Sequence, residues 1–308
     1  MTLLFRRKGA AKKTAALIAV VLFASLCVYA QDPTWPRFEL NLNTGYGLSQ
    51  FKGTSTYSDN WSYSSLEYVR ENTPVGLKGE NAFFFKGSFS YFFTPKFGVQ
   101  LGGGLFSSNV PVTSDFSFDW KWKSGSTAYN RTRSWTSEGK LSTTPLFLNA
   151  VGKFRVKFLD IAVSAGPALY FNSFEADSQV GFGMTYFRYV YVYPYIYYVQ
   201  GIEAFAIPIE IPQTSWTSFG ANLGLGVDFK VSPTVAIGLE GRYFLVPKKS
   251  LRWEWSPGTY DGIFFDYLKD VEFEASDLED YQEKMTGIDV KPSFFSISAG
   301  IKIFFGRK

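Results

Sequence analysis

Eight times along this chain, side chains alternate in character with a period of two, large apolar groups on one face and small or polar groups on the other. Period two is the signature of a β-strand, whose successive side chains point to opposite faces. The first segment sets Phe38, Leu40, Leu42, Tyr46 and Leu48 against Glu39, Asn41, Asn43, Gly45 and Gly47. Seven more run through Phe83–Phe93, Phe97–Leu105, Leu146–Phe154, Leu159–Phe171, Phe219–Phe229, Val235–Leu245 and Phe295–Phe305. Their lengths match the roughly 9–11 residues that a tilted membrane strand needs.

A soluble β-sandwich alternates too, but it turns its bulk inward. Here the bulky face is aromatic and aliphatic, while the other is rich in Gly, Ser and Asn, the arrangement of a barrel standing in lipid. The connections alternate as well. Those near Pro95, at 155–157 and near Pro233 are short, and those at 52–79, 109–140, 174–212 and 251–291 are long. Short periplasmic turns with long external loops belong to outer-membrane barrels, and lipid cannot satisfy an open sheet edge. The expected fold is all-β: an eight-stranded antiparallel transmembrane β-barrel with long extracellular loops and both termini periplasmic. The pattern leaves open whether loop strands continue the barrel above the membrane, and whether there are ten strands.

Residues 1–30 read as a cleaved signal peptide preceding a barrel domain at 31–308. Arg6, Arg7, Lys8, Lys12 and Lys13 form a basic start, Ala15–Cys27 is apolar, and Val28-Tyr29-Ala30 offers a cleavage site before Gln31. The apolar run is too short to span a bilayer. Leu26 stands where a lipoprotein signal needs a small residue before Cys27. Those 30 residues hold five basic and no acidic groups, which leaves 26 basic against 27 acidic, a net charge of −1. No global positive field remains to attract nucleic acid.

The chain has no histidine and one cysteine. This removes His-based catalytic triads, HExxH metalloproteases, disulfides and thiolate metal clusters, so no cofactor or metal is expected.

On the inward face stand Glu39, Lys86, Lys153, Asp160, Asp228, Glu240, Arg242 and Lys302, four acids and four bases. Charges in a low-dielectric enclosure persist when paired, so this set predicts a lumen ion-pair network. Eight strands enclose just enough space for side chains to fill. The plain reading is a plugged barrel; the sharper one is a narrow conduit whose pairs open.

The long connections carry two aromatic stretches. Residues 116–123 alternate, and Trp120, Trp122, Arg131, Arg133 and Trp135 interleave rings with cations. Such a hairpin suits surface recognition of lipopolysaccharide phosphates or a glycan; the plainer reading puts its rings in the aromatic girdle. Tyr191, Tyr193 and Tyr195 sit in a Tyr-dense stretch that suits adhesive recognition or strand extension across the rim. From Asp266 to Glu283 the chain is acidic. A solvated loop is preferred there over a divalent-cation site, because no EF-hand spacing occurs. Ser276-x-x-Glu279 is a capping-box pattern for a short helix.

Three stretches carry a family resemblance: Thr217–Phe229, Gly241-Arg-Tyr-Phe244 and Ser296–Phe305. Through them the chain resembles the small outer-membrane barrels of the OmpA/OmpW/opacity-protein type. The resemblance implies export to the cell outer membrane and insertion by the barrel-assembly machinery, which reads an aromatic-ended last strand. Here Gly306-Arg307-Lys308 follow Phe305, and no peptidoglycan-binding domain of the OmpA kind is expected. The barrel enzymes of this membrane use histidine-dependent chemistry, so the chain is expected not to be an enzyme. Outer-membrane lipid and lipopolysaccharide are the expected partners of a monomer, with any external ligand unspecified. The preferred function is structural or surface-displaying; the alternative is an OmpW-like passive channel for small or hydrophobic molecules.

Overall fold

A computed structural model of the chain describes residues 35–62, 66–123, 128–156, 159–192, 195–255 and 285–306. The strands follow chain order as β1 (Phe38–Ser49), β2 (Lys52–Trp61), β3 (Leu66–Lys78), β4 (Ala82–Phe92) and β5 (Phe97–Trp122). Next come β6 (Ala128–Val156), β7 (Leu159–Val192), β8 (Tyr195–Lys230) and β9 (Val235–Leu245). Three short strands, β10 (Lys249–Leu251), β11 (Glu254–Trp255) and β12 (Ile288–Val290), precede β13 (Phe294–Phe305).

Eight strands close a ring in the order β1, β4, β5, β6, β7, β8, β9, β13 and back to β1, every pair antiparallel. They coincide with the eight alternating segments of the sequence. The first and last strands zip along their whole length, from Phe38 opposite Phe305 to Ser49 opposite Phe294. Closure leaves no edge in this part of the sheet.

Two of the tight turns share one design. In Thr94-Pro95-Lys96-Phe97, the Phe97 amide donates to Thr94 Oγ1 at 3.0 Å. In Ser232-Pro233-Thr234-Val235, the Val235 amide donates to Ser232 Oγ at 3.0 Å. Proline pre-sets the backbone at the second turn position, and the hydroxyl at the first caps the reversal.

Strands β5 to β8 do not stop where β1, β4, β9 and β13 stop. The segments expected as loops at 52–79, 109–140 and 174–212 are therefore largely paired strands. Hairpin β2–β3 takes over the ring beside β5: β4 pairs with β5 as far as Phe84 opposite Phe106, and β3 resumes at Leu77 opposite Val112. β11 joins β8 at Glu254 opposite Glu210, and the Thr286 amide donates to the Thr56 carbonyl of β2 at 3.1 Å. The result is a β-structured tower standing on the ring.

Inward and outward positions keep one phase along each long strand, but their chemistry swaps partway. On β5 the lower outward residues are Val99, Leu101 and Leu105, over buried Gln100 and Gly102. Higher up, Ser107, Asn109, Thr113 and Asp115 face outward, and Phe106, Val110, Val112 and Phe116 are buried. β7 repeats this, with Val163 and Phe171 outward below and Glu175 and Asp177 outward above, where Phe174 and Val180 turn inside.

Candidate functional site

The lower lumen holds the charges. Lys86 pairs with Glu240 Oε1, which also accepts from Arg242 Nε at 2.7 Å. One tier down, Lys302 Nζ lies 2.7 Å from Asp228 Oδ2 and 3.4 Å from Glu39 Oε1, while Lys153 pairs with the other Glu39 oxygen. Seven of the eight inward charges named from the sequence thus form two linked groups. Asp160 stands apart at the rim, held by Arg155 Nε at 3.0 Å and Lys230 Nζ at 3.1 Å.

Arg242 organises the upper of the two groups. Its guanidinium lies 4.7 Å from the Phe147 ring centre. Nη2 donates to Gln100 Oε1 at 3.1 Å and to Ser164 Oγ at 2.8 Å, and Nη1 donates to Asn222 Oδ1. Asn149 ties the two amides together, donating to Asn222 Oδ1 at 3.0 Å and Gln100 Oε1 at 3.2 Å. Room for the guanidinium comes from Gly224, where a Cβ would stand 2.9 Å from Arg242 Cζ. The cavity left among Glu39, Gln100, Lys153, Ser164, Glu240, Arg242 and Lys302 is about 10 Å³, room for one water. Asn41, Asn43 Oδ1 and Asp228 Oδ1 are buried without a protein partner among the described residues.

Above this the inward face turns bulky and aromatic. Phe84, Phe106, Phe147, Tyr170, Phe244 and Phe294 fill the section and are all buried. Phe294 stacks on Phe106 at 4.3 Å and on Phe244 at 4.6 Å. The Tyr170 hydroxyl donates to the Ala221 carbonyl at 2.6 Å, so the one polar atom of the layer is satisfied. The lumen thus carries a layer of ion pairs and, above it, a layer of rings.

The tower separates the proposed recognition residues. Trp120 faces inward and is buried, packed on Phe118 at 5.1 Å with Phe116 and Val69. It is not a surface residue, because its position continues the inward phase of β5. The hairpin continues β5 and β6 well beyond Leu105, the last large apolar outward residue of β5. Arg133 is exposed and lies 5.6 Å from the half-buried Trp135 ring, and Tyr195 is exposed. The side chains of Trp122, Arg131 and Tyr191, all of Tyr193, the acidic run and the Ser276 capping box lie outside the described residues. Lys121 bridges to Glu67 at 2.5 Å, and that hydrogen bond holds its ammonium above the usual lysine value. Among the described residues, no group of acidic or cysteine side chains gathers to hold a metal ion.

Alternation alone places Gln100, Asn149 and Asn222 inside; their convergence on Arg242 requires the closed register of β5, β6, β8 and β9.

No family model matches the sequence, and no curated protein does. Several solved structures are similar in chain path at low identity. The outer membrane protein OprG from Pseudomonas aeruginosa is 12% identical at a TM-score of 0.44, over 90% of this chain and 100% of that one. The outer membrane protease OmpT from Escherichia coli is 10% identical at a TM-score of 0.39, over 87% of this chain and 97% of that one. Ail, the attachment invasion locus protein of Yersinia pestis, is 10% identical at 0.30, over 87% and 99%.

Proposed function

We propose that residues 31–308 form a monomeric, integral outer-membrane β-barrel whose role is structural and surface-displaying, after cleavage of the signal at 1–30. The inversion of side-chain chemistry along β5 and β7 is the observation that supports this reading. The lower outward face exposes Leu, Ile, Val and Phe on all eight ring strands, far beyond the few hundred Å² that a soluble monomer presents. On β7 this face runs from Ile161 to Phe171. Ten steps of about 3.3 Å, tilted by about 40°, rise about 25 Å, the height of the apolar band of an outer-membrane barrel. Lipid covers the band, and the tower stands outside the cell in water.

The double closure of the lumen argues against transport. A conduit requires the Arg242 cluster and the Phe106–Phe294–Phe244 stack to move together. Catalysis has no support either, since the chain lacks histidine and its buried charges pair with one another.

The test is planar-bilayer conductance of refolded 31–308, after gel electrophoresis shows unheated samples migrating ahead of boiled ones. A folded, silent barrel is expected. Discrete, reproducible channel steps would overturn the closed lumen, and a missing mobility shift would overturn the barrel in the membrane.

A further inference from the structure

We propose that the outward face of β6, β7 and β8 at the foot of the tower docks the neutral sugar headgroup of an outer-leaflet glycolipid. This rests on the membrane reading above. The register sets Ser142, Ser173 and Ser215 abreast on the three strands, with Thr144, Phe171 and Thr217 abreast in the row below. Together they line a depression of about 360 Å³ on the outer wall. Neighbouring strands lie about 4.8 Å apart and alternate residues about 6.6 Å, so the two rows cover roughly 10 Å by 7 Å.

The chemistry of this patch is that of a sugar site. Phe171 is 47% exposed, an apolar surface for the carbon face of a pyranose. Five hydroxyls surround it, each able to donate and accept. Ser142 Oγ donates to Ser107 Oγ at 3.3 Å; among the described residues the other four hydroxyls make no hydrogen bond. Below the patch, Leu146, Leu169 and Phe219 stand abreast to meet acyl chains. The depth therefore fits a headgroup whose tails lie in the membrane.

Charge selects among headgroups. Neither row contains an ionic side chain. The next positions upward carry Glu138, Glu175, Asp177 and Glu210 against Lys140 alone, around an adjoining depression. That net negative collar repels a phosphate and leaves a neutral sugar as the ligand. On the opposite wall the outward residues Leu48, Phe83 and Leu245 carry no hydroxyls.

The experiment is native mass spectrometry of the barrel purified from its membrane and exchanged into mixed lipid. The probes are a monoglucosyl diacylglycerol, phosphatidylcholine and phosphatidylglycerol with matched chains. The barrel is expected to retain the glucosyl lipid about tenfold over phosphatidylcholine, the ratio that one or two net hydrogen bonds supply. Thr144→Val with Thr217→Val, and separately Phe171→Ala, are expected to bring retention down to the phosphatidylcholine level. Phe83→Ala on the far wall is expected to leave it intact. All variants lie on the outward face, and the gel mobility shift reports that each remains folded. Equal retention of glucosyl lipid and phosphatidylcholine, a preference for phosphatidylglycerol, or variants that behave as the parent would each overturn the site. A parent chain with no mobility shift in vesicles would instead defeat the membrane reading.

Discussion

Glu240 is the pivot of the lumen, and replacing it by alanine tests the ion-pair network most severely. Its carboxylate serves both Lys86 and Arg242, whose side chains are 0% and 1% exposed. Within the two linked groups, three carboxylates face four cations, so losing Glu240 raises the excess from one positive charge to two. Breaking a buried pair by removing one partner costs about 3–5 kcal/mol. An upper bound comes from neutralising the stranded lysine, which from its ordinary pKa costs about 5 kcal/mol at pH 7. Glu240→Ala is therefore expected to destabilise the barrel by about 4 kcal/mol. Arg242→Ala is milder, because Glu240 keeps Lys86, and both Asn222 Oδ1 and Gln100 Oε1 keep Asn149 as donor. Its loss of charge-assisted hydrogen bonds is worth about 2 kcal/mol. Urea titration of refolding into vesicles, read by gel mobility, measures both. Adding Lys86→Met to Glu240→Ala is expected to restore part of the loss. If Arg242→Ala proves as damaging as Glu240→Ala, the charge argument is wrong and packing governs this layer.

Three further outcomes follow from the geometry. Leu101→Arg, on the outward face of β5 within the apolar band, is expected to cost about 2–4 kcal/mol in the same titration, while Thr113→Arg higher on that face costs about nothing; equal costs would remove the membrane boundary. Phe294→Ala is expected to cost about 3–5 kcal/mol by breaking two stacks, yet to leave the bilayer silent because the ion tier still closes the lumen; channel steps would show that the rings alone seal it. Hydrogen bonds from Lys248 and Ser250 hold the exposed Asp289 carboxyl below its ordinary value of 3.8. A depressed folded value stabilises above the unfolded value and fails as pH falls through the folded one. The β10–β12 clip is thus expected to resist amide exchange down to about pH 4 and to loosen only below it; loosening between pH 5 and 7 would contradict this.

The eight ring strands are legible because lipid and lumen impose opposite chemistry on alternate residues, as Phe38–Leu48 already shows. The inward charges are legible for the same reason. The tower was harder to read because its strands keep phase while reversing chemistry: Leu105 is the last large apolar residue outside on β5, and Phe106 is the first of a run inside. The apolar side steps across the strand at that point, which is why Trp120 is buried although large apolar residues lower on the strand face outward. The Arg242 cluster has no local signal. Gln100, Asn149, Ser164 and Asn222 come from four strands, and only ring closure brings them to one guanidinium. The fit at Gly224, set by the approach of a side chain from β9, is likewise invisible along the chain.

The reversal of chemistry at Ser107, Thr144, Ser173 and Ser215 also works as a waterline. Sinking the protein by one residue pair would draw these hydroxyls into hydrocarbon, at about 1–3 kcal/mol for each one left unpaired. Raising it by the same step would lift Leu146 and Phe219 toward water. The restoring force acts in both directions. On the proposed membrane reading, the protein floats at a fixed draught, with its tower held at a set height above the lipid.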